Sequence, residues 1–331
     1  MTSLPPLKKT LVEAVNLALA HEMRRDESVV VLGEDVAANG GVFRATEGLK
    51  DEFGIRRVMD TPLAEALIGG VAVGMATQGL KPVAEIQFMG FIFAAMEHII
   101  CHAARMRNRT RGRLSCPMVI RAPYGGGIHA PEHHSESIEA LFTHIPGLRV
   151  VVPSSPMRTY GLLLSAIRDP DPVIFLEPKR IYRASKQEVI DNGEALPLDV
   201  CFTLREGKDI TLVTWGAMVQ ESLQAANQLA QKGISVEVID LATLKPLDME
   251  TILHSVEKTG RCVIVHEAAR TNGVGAEIAA QLAEKGLLYL QAPVKRITGY
   301  DTPMPYFKYE HYYMIHVDEI VRGIEETLAY G

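Results

Sequence analysis

Short apolar runs of strand length alternate with longer helix-like runs along almost the whole chain, and this alternation constrains the fold most. Strands that are apolar along their whole length are buried on both faces, as in a parallel sheet covered by helices on both sides. In the first half, the predicted strands are Val29–Leu32, Val83–Phe88, Met118–Arg121, Arg149–Val152 and Val173–Leu176. The predicted helices between them are Leu11–Arg24, Ala64–Gln78, Phe91–Met106 and Met157–Ile167. This half is therefore predicted to be an α/β domain.

A polar stretch over residues 186–199, with Gly193 and Pro197, interrupts the pattern and is predicted to be a linker. Beyond it, the predicted strands are Ile210–Trp215, Val236–Leu241 and Val263–Val265, and the predicted helices are Val219–Lys232, Met249–Glu257, Ala276–Lys285 and Val317–Leu328. A chain of 331 residues also exceeds the length at which one hydrophobic core usually stops growing. Two α/β domains are therefore predicted, at residues 1–185 and 200–331.

Charge and composition exclude several classes of protein. The net charge is −6 and no cluster of Lys or Arg is dense, which argues against nucleic acid as a partner. The longest apolar stretches, such as Ala66–Ala76, contain glycines and are too short to cross a membrane. The four cysteines are far apart, and residues 1–10 lack an apolar signal core, so we expect reduced thiols and a cytoplasmic protein.

One segment, His129-Ala-Pro-Glu-His133, matches a zinc-protease pattern in which two histidines lie on one face of a helix. Pro131 and the three glycines at 125–127 oppose a regular helix there. The sequence favours a glycine-rich loop that carries polar groups to a site. His133 and His134, which follow in this loop, are either structural or proton-transfer groups on pattern alone.

Glu65 starts a predicted helix whose other residues are nearly all apolar or glycine. A carboxylate in the first turn of a helix is often only a partner for the helix dipole. A helix that is apolar all round is, however, expected to be buried, and a buried carboxyl needs a partner. Glu65 is therefore a candidate for sharing a proton with a ring nitrogen of a ligand.

Seven segments together resemble the beta subunit of the thiamine-diphosphate-dependent decarboxylase component of 2-oxo acid dehydrogenase complexes. They span most of the chain: Val31–Asp35, Gly40–Gly48, Met59–Glu65, Pro82–Phe88, Tyr124–Gly127, His134–Ser135 and Asp171–Pro178. Residues 87–91 and 125–132 look most like the pyruvate-type subunits of bacteria. The resemblance implies a transketolase-like pyrimidine-binding domain followed by a domain similar to the transketolase C-terminal domain.

The resemblance also implies a cofactor, thiamine diphosphate, bound between two subunits. An alpha subunit would hold Mg and the diphosphate, which agrees with the lack of a Gly-Asp-Gly motif with a downstream Asn in this chain. By resemblance, Glu65 would hydrogen-bond the aminopyrimidine ring, and Leu63, Gln87 and Phe91 would line its pocket. His134 would be a proton donor near the substrate or the lipoyl group. A structural potassium ion would be bound at Met118, Ala166, Ile167, Asp169 and Asp171.

The implied function is that of a pyruvate dehydrogenase-type beta subunit in an α2β2 heterotetramer. With the alpha subunit, it would decarboxylate a small 2-oxo acid and pass the acyl group to lipoyl on the acyltransferase core. A branched-chain 2-oxo acid or acetoin dehydrogenase beta subunit is the alternative within enzymes. A non-catalytic scaffold subunit is the alternative from another class, and the presence of both Glu65 and His134 argues against it.

Overall fold

The computed structural model describes residues 5–330, and within this range the chain forms two compact units. The first unit comprises residues 5–124 and 141–198, and the second comprises residues 125–140 and 199–330. The division differs from the sequence prediction at two places. The glycine-rich segment 125–140 groups with the second unit, and the segment predicted as a linker mostly groups with the first.

Six strands of the first unit are neighbours in one parallel sheet, in the order β6-β7-β5-β4-β2-β3. They are β2 (Val29–Gly33), β3 (Val58–Asp60), β4 (Lys81–Glu85), β5 (Val119–Tyr124), β6 (Arg149–Val151) and β7 (Val173–Pro178). Every residue of β2, β5 and β7 is buried, which is why these strands read as continuous apolar runs. Two further strands, β1 (Leu7–Lys9) and β8 (Gln187–Val189), form an antiparallel ribbon, so the predicted linker contains a strand.

The helices up to the end of the first unit are α1 (Leu11–Arg25), α2 (Leu49–Phe53), α3 (Glu65–Thr77), α4 (Met106–Arg109), α5 (Glu139–Thr143) and α6 (Pro156–Arg168). Thr10 begins α1 with a reciprocal cap, because its side chain accepts from the Glu13 N–H while the Glu13 carboxylate accepts from the Thr10 N–H. Ser155 caps α6, with Pro156 in its first turn.

The prediction of one regular helix over Phe91–Met106 is wrong. The segment is a 3₁₀ helix over Met89–Ala95, a π turn over His98–His102 and a second 3₁₀ turn over Ala103–Arg105. It packs on two glycines of α3: a Cβ on Gly69 would lie 3.1 Å from the Cβ of Ala95, and one on Gly70 would lie 3.2 Å from the His98 ring. We attribute the irregular winding to this close approach.

The second unit has a five-stranded sheet in the order β14-β13-β10-β11-β9. Its strands are β9 (Phe202–Arg205), β10 (Ile210–Thr214), β11 (Val236–Asp240), β13 (Cys262–Ala269) and β14 (Lys295–Gly299), and the short strand β12 (Thr243–Lys245) does not belong to this sheet. All neighbours in this sheet are parallel except β9, which runs antiparallel to β11.

The helices of the second unit are α7 (Met218–Ala230), α8 (Met249–Thr259), α9 (Val274–Lys285), α10 (Phe307–Tyr313) and α11 (Val317–Leu328), with a 3₁₀ turn at Leu287–Tyr289. The apolar faces of α7 and α11 pack on the sheet, where Leu229 and Ile320 meet Val238 and Val265 in one buried core. Between residues 5 and 330, no helix combines the length and the apolar character that crossing a membrane requires.

Candidate functional site

Three parallel strands of the first unit end at one edge of the sheet, and each is followed by a residue of interest. Because β2 lies between β3 and β4, the carboxyl ends of these strands are neighbours. Glu34 follows β2, Glu65 begins the helix after β3, and Gln87 lies two residues beyond β4. Ligands of open α/β sheets bind outside the carboxyl ends of the strands. The structure therefore brings Glu65 and Gln87 to the same edge, as a shared pocket requires.

Glu34 is a buried carboxyl beside Glu65 that the sequence analysis missed. Its side chain accepts from the backbone N–H of Ala64, while its Oε1 atom has no hydrogen-bond partner within the described chain. Burial raises the pKa of Glu34, and the nearby charges of Glu65 and Asp35 raise that pKa further. An orphaned buried oxygen next to a second carboxyl fits a ligand that offers a proton donor, such as an aminopyrimidine ring.

Aromatic rings continue from this edge into the unit. Phe91 lies on the 3₁₀ helix after β4, half-buried, with its ring 5.9 Å from that of Phe88. The ring of Phe43 is 5.5 Å from Phe88 and 5.1 Å from Tyr182, and all three contacts are edge-to-face. Such contacts fix ring orientation as well as burying area. Phe91 is thus held by a row of rings rather than by one neighbour.

A buried ion network supports the same strand ends. Arg121 on β5 donates to Glu85 at 2.8 Å and to both oxygens of Glu177, at 2.6 and 2.9 Å. The Tyr182 hydroxyl donates to Glu177 at 2.5 Å, which joins the network to the row of rings. Burial raises the pKa of Glu85, and the Arg121 charge opposes this rise. One guanidinium on β5 thus joins carboxyl groups of β4 and β7.

Helix α3 is less buried than its composition predicts. Its buried residues are Ile68, Gly69, Ala72 and Ala76. Leu63, just before it, is 81% exposed, and Leu67 and Val71 also face solvent. The prediction of a buried helix therefore holds for only one side of α3 in the chain by itself, and the other side is an uncovered apolar face.

The predicted potassium positions lie in one part of the first unit. Ala166 and Ile167 are in the last turn of α6, where helix carbonyls lack intrahelical partners, and Asp169 caps that helix. The carbonyl of Met118 accepts from the Val173 N–H at 3.0 Å, which brings it near this turn. The side chains of the two acids are used elsewhere, in ion pairs that join Arg149 to Asp169 and Arg107 to Asp171. Within residues 5–330, no group of three or more His, Cys, Asp or Glu side chains could hold a metal ion, so main-chain oxygens would be the ligands.

The glycine-rich segment of the second unit is a loop anchored by two buried carboxylates. Glu310 on α10 accepts from the N–H groups of Gly127 at 2.5 Å and His129 at 2.8 Å, and Glu267 accepts from Gly126. His129 and His133 both have left-handed backbone conformations and lie outside any helix. The zinc-protease geometry is absent from this loop, as its glycines and Pro131 predict.

His134 is half-buried in this loop and belongs to the second unit. Its Nδ1 lies 2.8 Å from the carbonyl oxygen of Glu132. A carbonyl can only accept, so Nδ1 carries the hydrogen of this bond. His133 is more exposed, with its Nδ1 3.7 Å from Glu136. The loop also lines a cavity of about 640 Å³ together with Tyr306.

Glu139, Trp215 and His266 form a buried polar cluster that the sequence analysis did not predict. Trp215 donates from Nε1 to Glu139 at 3.2 Å, and the His266 ring stacks on Trp215 at 5.0 Å. Burial raises the pKa of Glu139 to about 7, and the charge of Glu267 adds to the rise. Burial also lowers the pKa of His266 to about 4. At pH 7 the His266 ring is therefore neutral, and about half of the Glu139 carboxyl is protonated.

The chain matches the family models of both predicted domains. Residues 8–185 match "Transketolase, pyrimidine binding domain", and residues 201–320 match "Transketolase, C-terminal domain". A solved structure named "Split gene transketolase, inactive beta4 tetramer" is similar, with a TM-score of 0.80 and 25% identity over 97% of this chain and 99% of that one. The predicted α/β fold class is confirmed.

Curated relatives match at higher identity. The "Pyruvate dehydrogenase E1 component subunit beta" of Acholeplasma laidlawii is 51% identical over 317 residues, which cover 96% of this chain and 97% of that protein. The protein of the same name from Staphylococcus aureus (strain N315) is 47% identical over 321 residues, covering 97% of this chain and 99% of that protein. A pyrimidine-binding domain also agrees with a thiamine-diphosphate-dependent, transketolase-like protein. The chain belongs to the family of pyruvate dehydrogenase E1 component beta subunits.

Proposed function

We propose that this chain holds the aminopyrimidine end of thiamine diphosphate and, with an alpha subunit, decarboxylates pyruvate. The observation that carries the proposal is the pair Glu34 and Glu65 at the carboxyl edge of the first sheet, with the orphaned Oε1 of Glu34. Membership of the E1 beta family supports the choice of reaction. When bound, the cofactor supplies the electron sink for decarboxylation.

Glu65 is the proton-sharing group at the pyrimidine ring nitrogen in this proposal. Burial and the nearby charge of Glu65 raise the pKa of Glu34, which favours a proton on the Glu34 carboxyl beside Glu65. Glu65 can pass a proton to the ring and recover it. Gln87 and Leu63 border the ring, and Phe91 stacks on it, held in place by Phe88.

His134 acts on the other side of the reaction, toward the substrate carbonyl or the lipoyl group. Its Nδ1–H donates to the Glu132 carbonyl at 2.8 Å, and this bond fixes the orientation of the ring for proton transfer. The anchoring of the loop by Glu310 and Glu267 supports such a role, because a proton donor must be held within hydrogen-bond distance of its target.

An alpha subunit completes the site in this proposal, holding Mg and the diphosphate in an α2β2 assembly. The uncovered apolar face of α3, with Leu63, Leu67 and Val71, offers a surface for another chain beside Glu65. A structural relative is named an inactive beta4 tetramer, which agrees with a beta-type chain that needs a different partner for activity. The acyltransferase core as acyl acceptor, the potassium ion and a cytoplasmic location complete the proposal.

Glu65→Gln tests the assignment, with Glu27→Gln as the matched control at an exposed position of the same unit. Gln keeps the size of Glu but cannot exchange a proton, and loss of such a group typically costs about 10²–10⁴-fold in turnover. We expect the reconstituted α2β2 complex with Glu65→Gln to keep its melting temperature and lose this factor. Near wild-type turnover of the Glu65→Gln complex would contradict the proposed role of Glu65. Wild-type turnover of pyruvate, 3-methyl-2-oxobutanoate and acetoin should be fastest with pyruvate.

Cofactor titration tests the split site. The isolated chain, titrated by calorimetry with thiamine diphosphate and Mg, should bind weakly or not at all, and the same titration with the alpha subunit should show tight binding. The reason is charge: the diphosphate and Mg are the parts that backbone N–H groups and carboxylates hold most strongly. Micromolar binding by the isolated chain would contradict the division of the cofactor between two subunits.

A further inference from the structure

A shallow cavity of about 260 Å³ lies in the second unit, between the edge strand β14 and helix α11. Its lining is unusual in charge for a chain that is acidic overall. Four basic residues and two acidic ones contribute: Arg270, Lys295, Arg296, Arg322, Glu319 and Glu326. None of these residues belongs to the site described above.

The two acids of the cavity are already engaged. Glu326 pairs with Lys295 at 2.7 Å, and this bond, followed by the charges of Lys295 and Arg322, lowers the pKa of Glu326. Glu319 accepts from the backbone N–H of His316 at 3.0 Å, as part of the cap of α11. Among the side chains that line the cavity, basic groups outnumber acidic groups by two.

Arg270 and Arg296 hold each other in place through backbone carbonyls. Nη1 of Arg270 donates to the Arg296 oxygen at 3.1 Å, and Nη1 of Arg296 donates to the Arg270 oxygen at 2.9 Å. Neither forms an ion pair within residues 5–330. The nearby acid Asp301 accepts from the N–H and hydroxyl of Thr271, and these bonds, followed by the backbone N–H and the charge of Arg270, lower the pKa of Asp301. A guanidinium has five N–H donors, so most donors of both groups remain available.

The positive charge of the pair is felt inside the unit. Burial lowers the pKa of the His266 ring on β13, and the positive charges of Arg296 and Arg270 lower it further. Two fixed guanidiniums, close enough to bond each other's main chain, thus create a local positive potential. A potential of this kind attracts a compact anion.

We propose that this cavity binds a phosphate group, as inorganic phosphate or as a small phosphate monoester. A phosphate carries about −1.5 to −2 charges near pH 7, opposite in sign to the excess of basic side chains in the lining of the cavity. The planar donor pairs of Arg270 and Arg296 match phosphate oxygens two at a time. The volume of about 260 Å³ lies below the usual range for drug-sized ligands, about 300–1,000 Å³, which favours a single phosphate on a small body over a nucleotide.

Calorimetry on the reconstituted α2β2 complex tests the proposal, with inorganic phosphate as the probe and chloride at the same ionic strength as background. The test variant is Arg270→Met with Arg296→Met. The matched control is Lys232→Met with Lys285→Met, which removes two positive charges from the same unit outside the cavity. We expect saturable binding to the wild type and the control, and affinity at least about tenfold lower in the test variant.

Two results would overturn the proposal: no saturable binding to the wild type at millimolar phosphate, or equal affinity in the test and control variants. If the Met variant melts early without ligand, the pair Arg270→Lys with Arg296→Lys replaces it, since it keeps charge but loses the bidentate geometry, and it should also bind more weakly. Equal affinity in that pair would again overturn the assignment. Titration with glycerol 3-phosphate separates the sources, because tighter binding than phosphate indicates a monoester and weaker binding indicates the free ion.

Discussion

Glu139→Gln tests whether the second unit keeps a neutral carboxyl in its interior. Glu139 is buried, its Oε1 accepts from Trp215, and its Oε2 has no hydrogen-bond partner among residues 5–330. Ionising it would therefore place a negative charge in the interior, which burial and the nearby Glu267 both oppose by raising the pKa of Glu139. Gln mimics the protonated acid, since its carbonyl can still accept from Trp215.

The magnitude follows from the pKa of Glu139, which burial raises from 4.5 to about 7. One pKa unit corresponds to about 1.4 kcal/mol, so the ionised carboxyl costs the folded state on the order of 3 kcal/mol. Below the unfolded pKa, Glu139 is protonated in both states and costs nothing. Stability is lost as pH rises from there through the folded pKa, because the unfolded chain releases the proton first.

Melting of the wild type and of Glu139→Gln at about pH 5 and about pH 8 measures this cost. We expect similar melting temperatures near pH 5 and a variant that melts several degrees higher near pH 8. Glu277→Gln, at an exposed position of α9, serves as the control and should show no such pH dependence relative to the wild type. The same gap between Glu139→Gln and the wild type at both pH values would refute the reasoning.

Three further predictions concern other parts of the structure. His134→Ala should lower turnover of the whole complex more than His133→Ala, measured against turnover with an artificial acceptor, and the opposite order would mean that the loop register is misassigned. Glu310→Ala removes the acceptor of two loop amides, at about 1–3 kcal/mol per unsatisfied group, so amide exchange in residues 125–130 should quicken. Unchanged exchange would show that the anchor is unimportant. Arg121→Met leaves two buried carboxylates unpaired and should destabilise the first unit by about 3–5 kcal/mol, and an unchanged melting temperature would contradict this.

The strands could be predicted because a strand that is buried on both faces is apolar at consecutive positions, and such a run is visible in the local sequence. Val29–Leu32 is one residue shorter than the strand Val29–Gly33, and Arg149–Val152 differs from β6 by one residue. The winding of residues 91–106 could not be predicted, because it depends on a close approach to Gly69 and Gly70 of another helix. The spacing of apolar residues within one segment carries no information about a contact with another helix.

Some residues of the candidate site could likewise be predicted from the sequence, and others could not. Glu65 and Phe91 stand in long segments that resemble a known family, and their common edge follows from the order of parallel strands. Glu34 had a weaker signal, an acid directly after a buried strand. Arg121 bonds a residue 56 positions away, and Trp215 bonds one 76 positions away. Pairings over such distances leave no trace in a single sequence.

Because one face of α3 is apolar and uncovered, the amount of this chain relative to its partner determines how much of it is prone to aggregate. A molecule made in excess of its partner keeps Leu63, Leu67 and Val71 in water. Apolar surface of this kind drives self-association, and the apparent stability of a chain that binds through it rises with the concentration of whatever covers it. Matched synthesis of the two chains would therefore limit aggregation of the surplus, and recombinant yield should depend on the ratio at which they are produced.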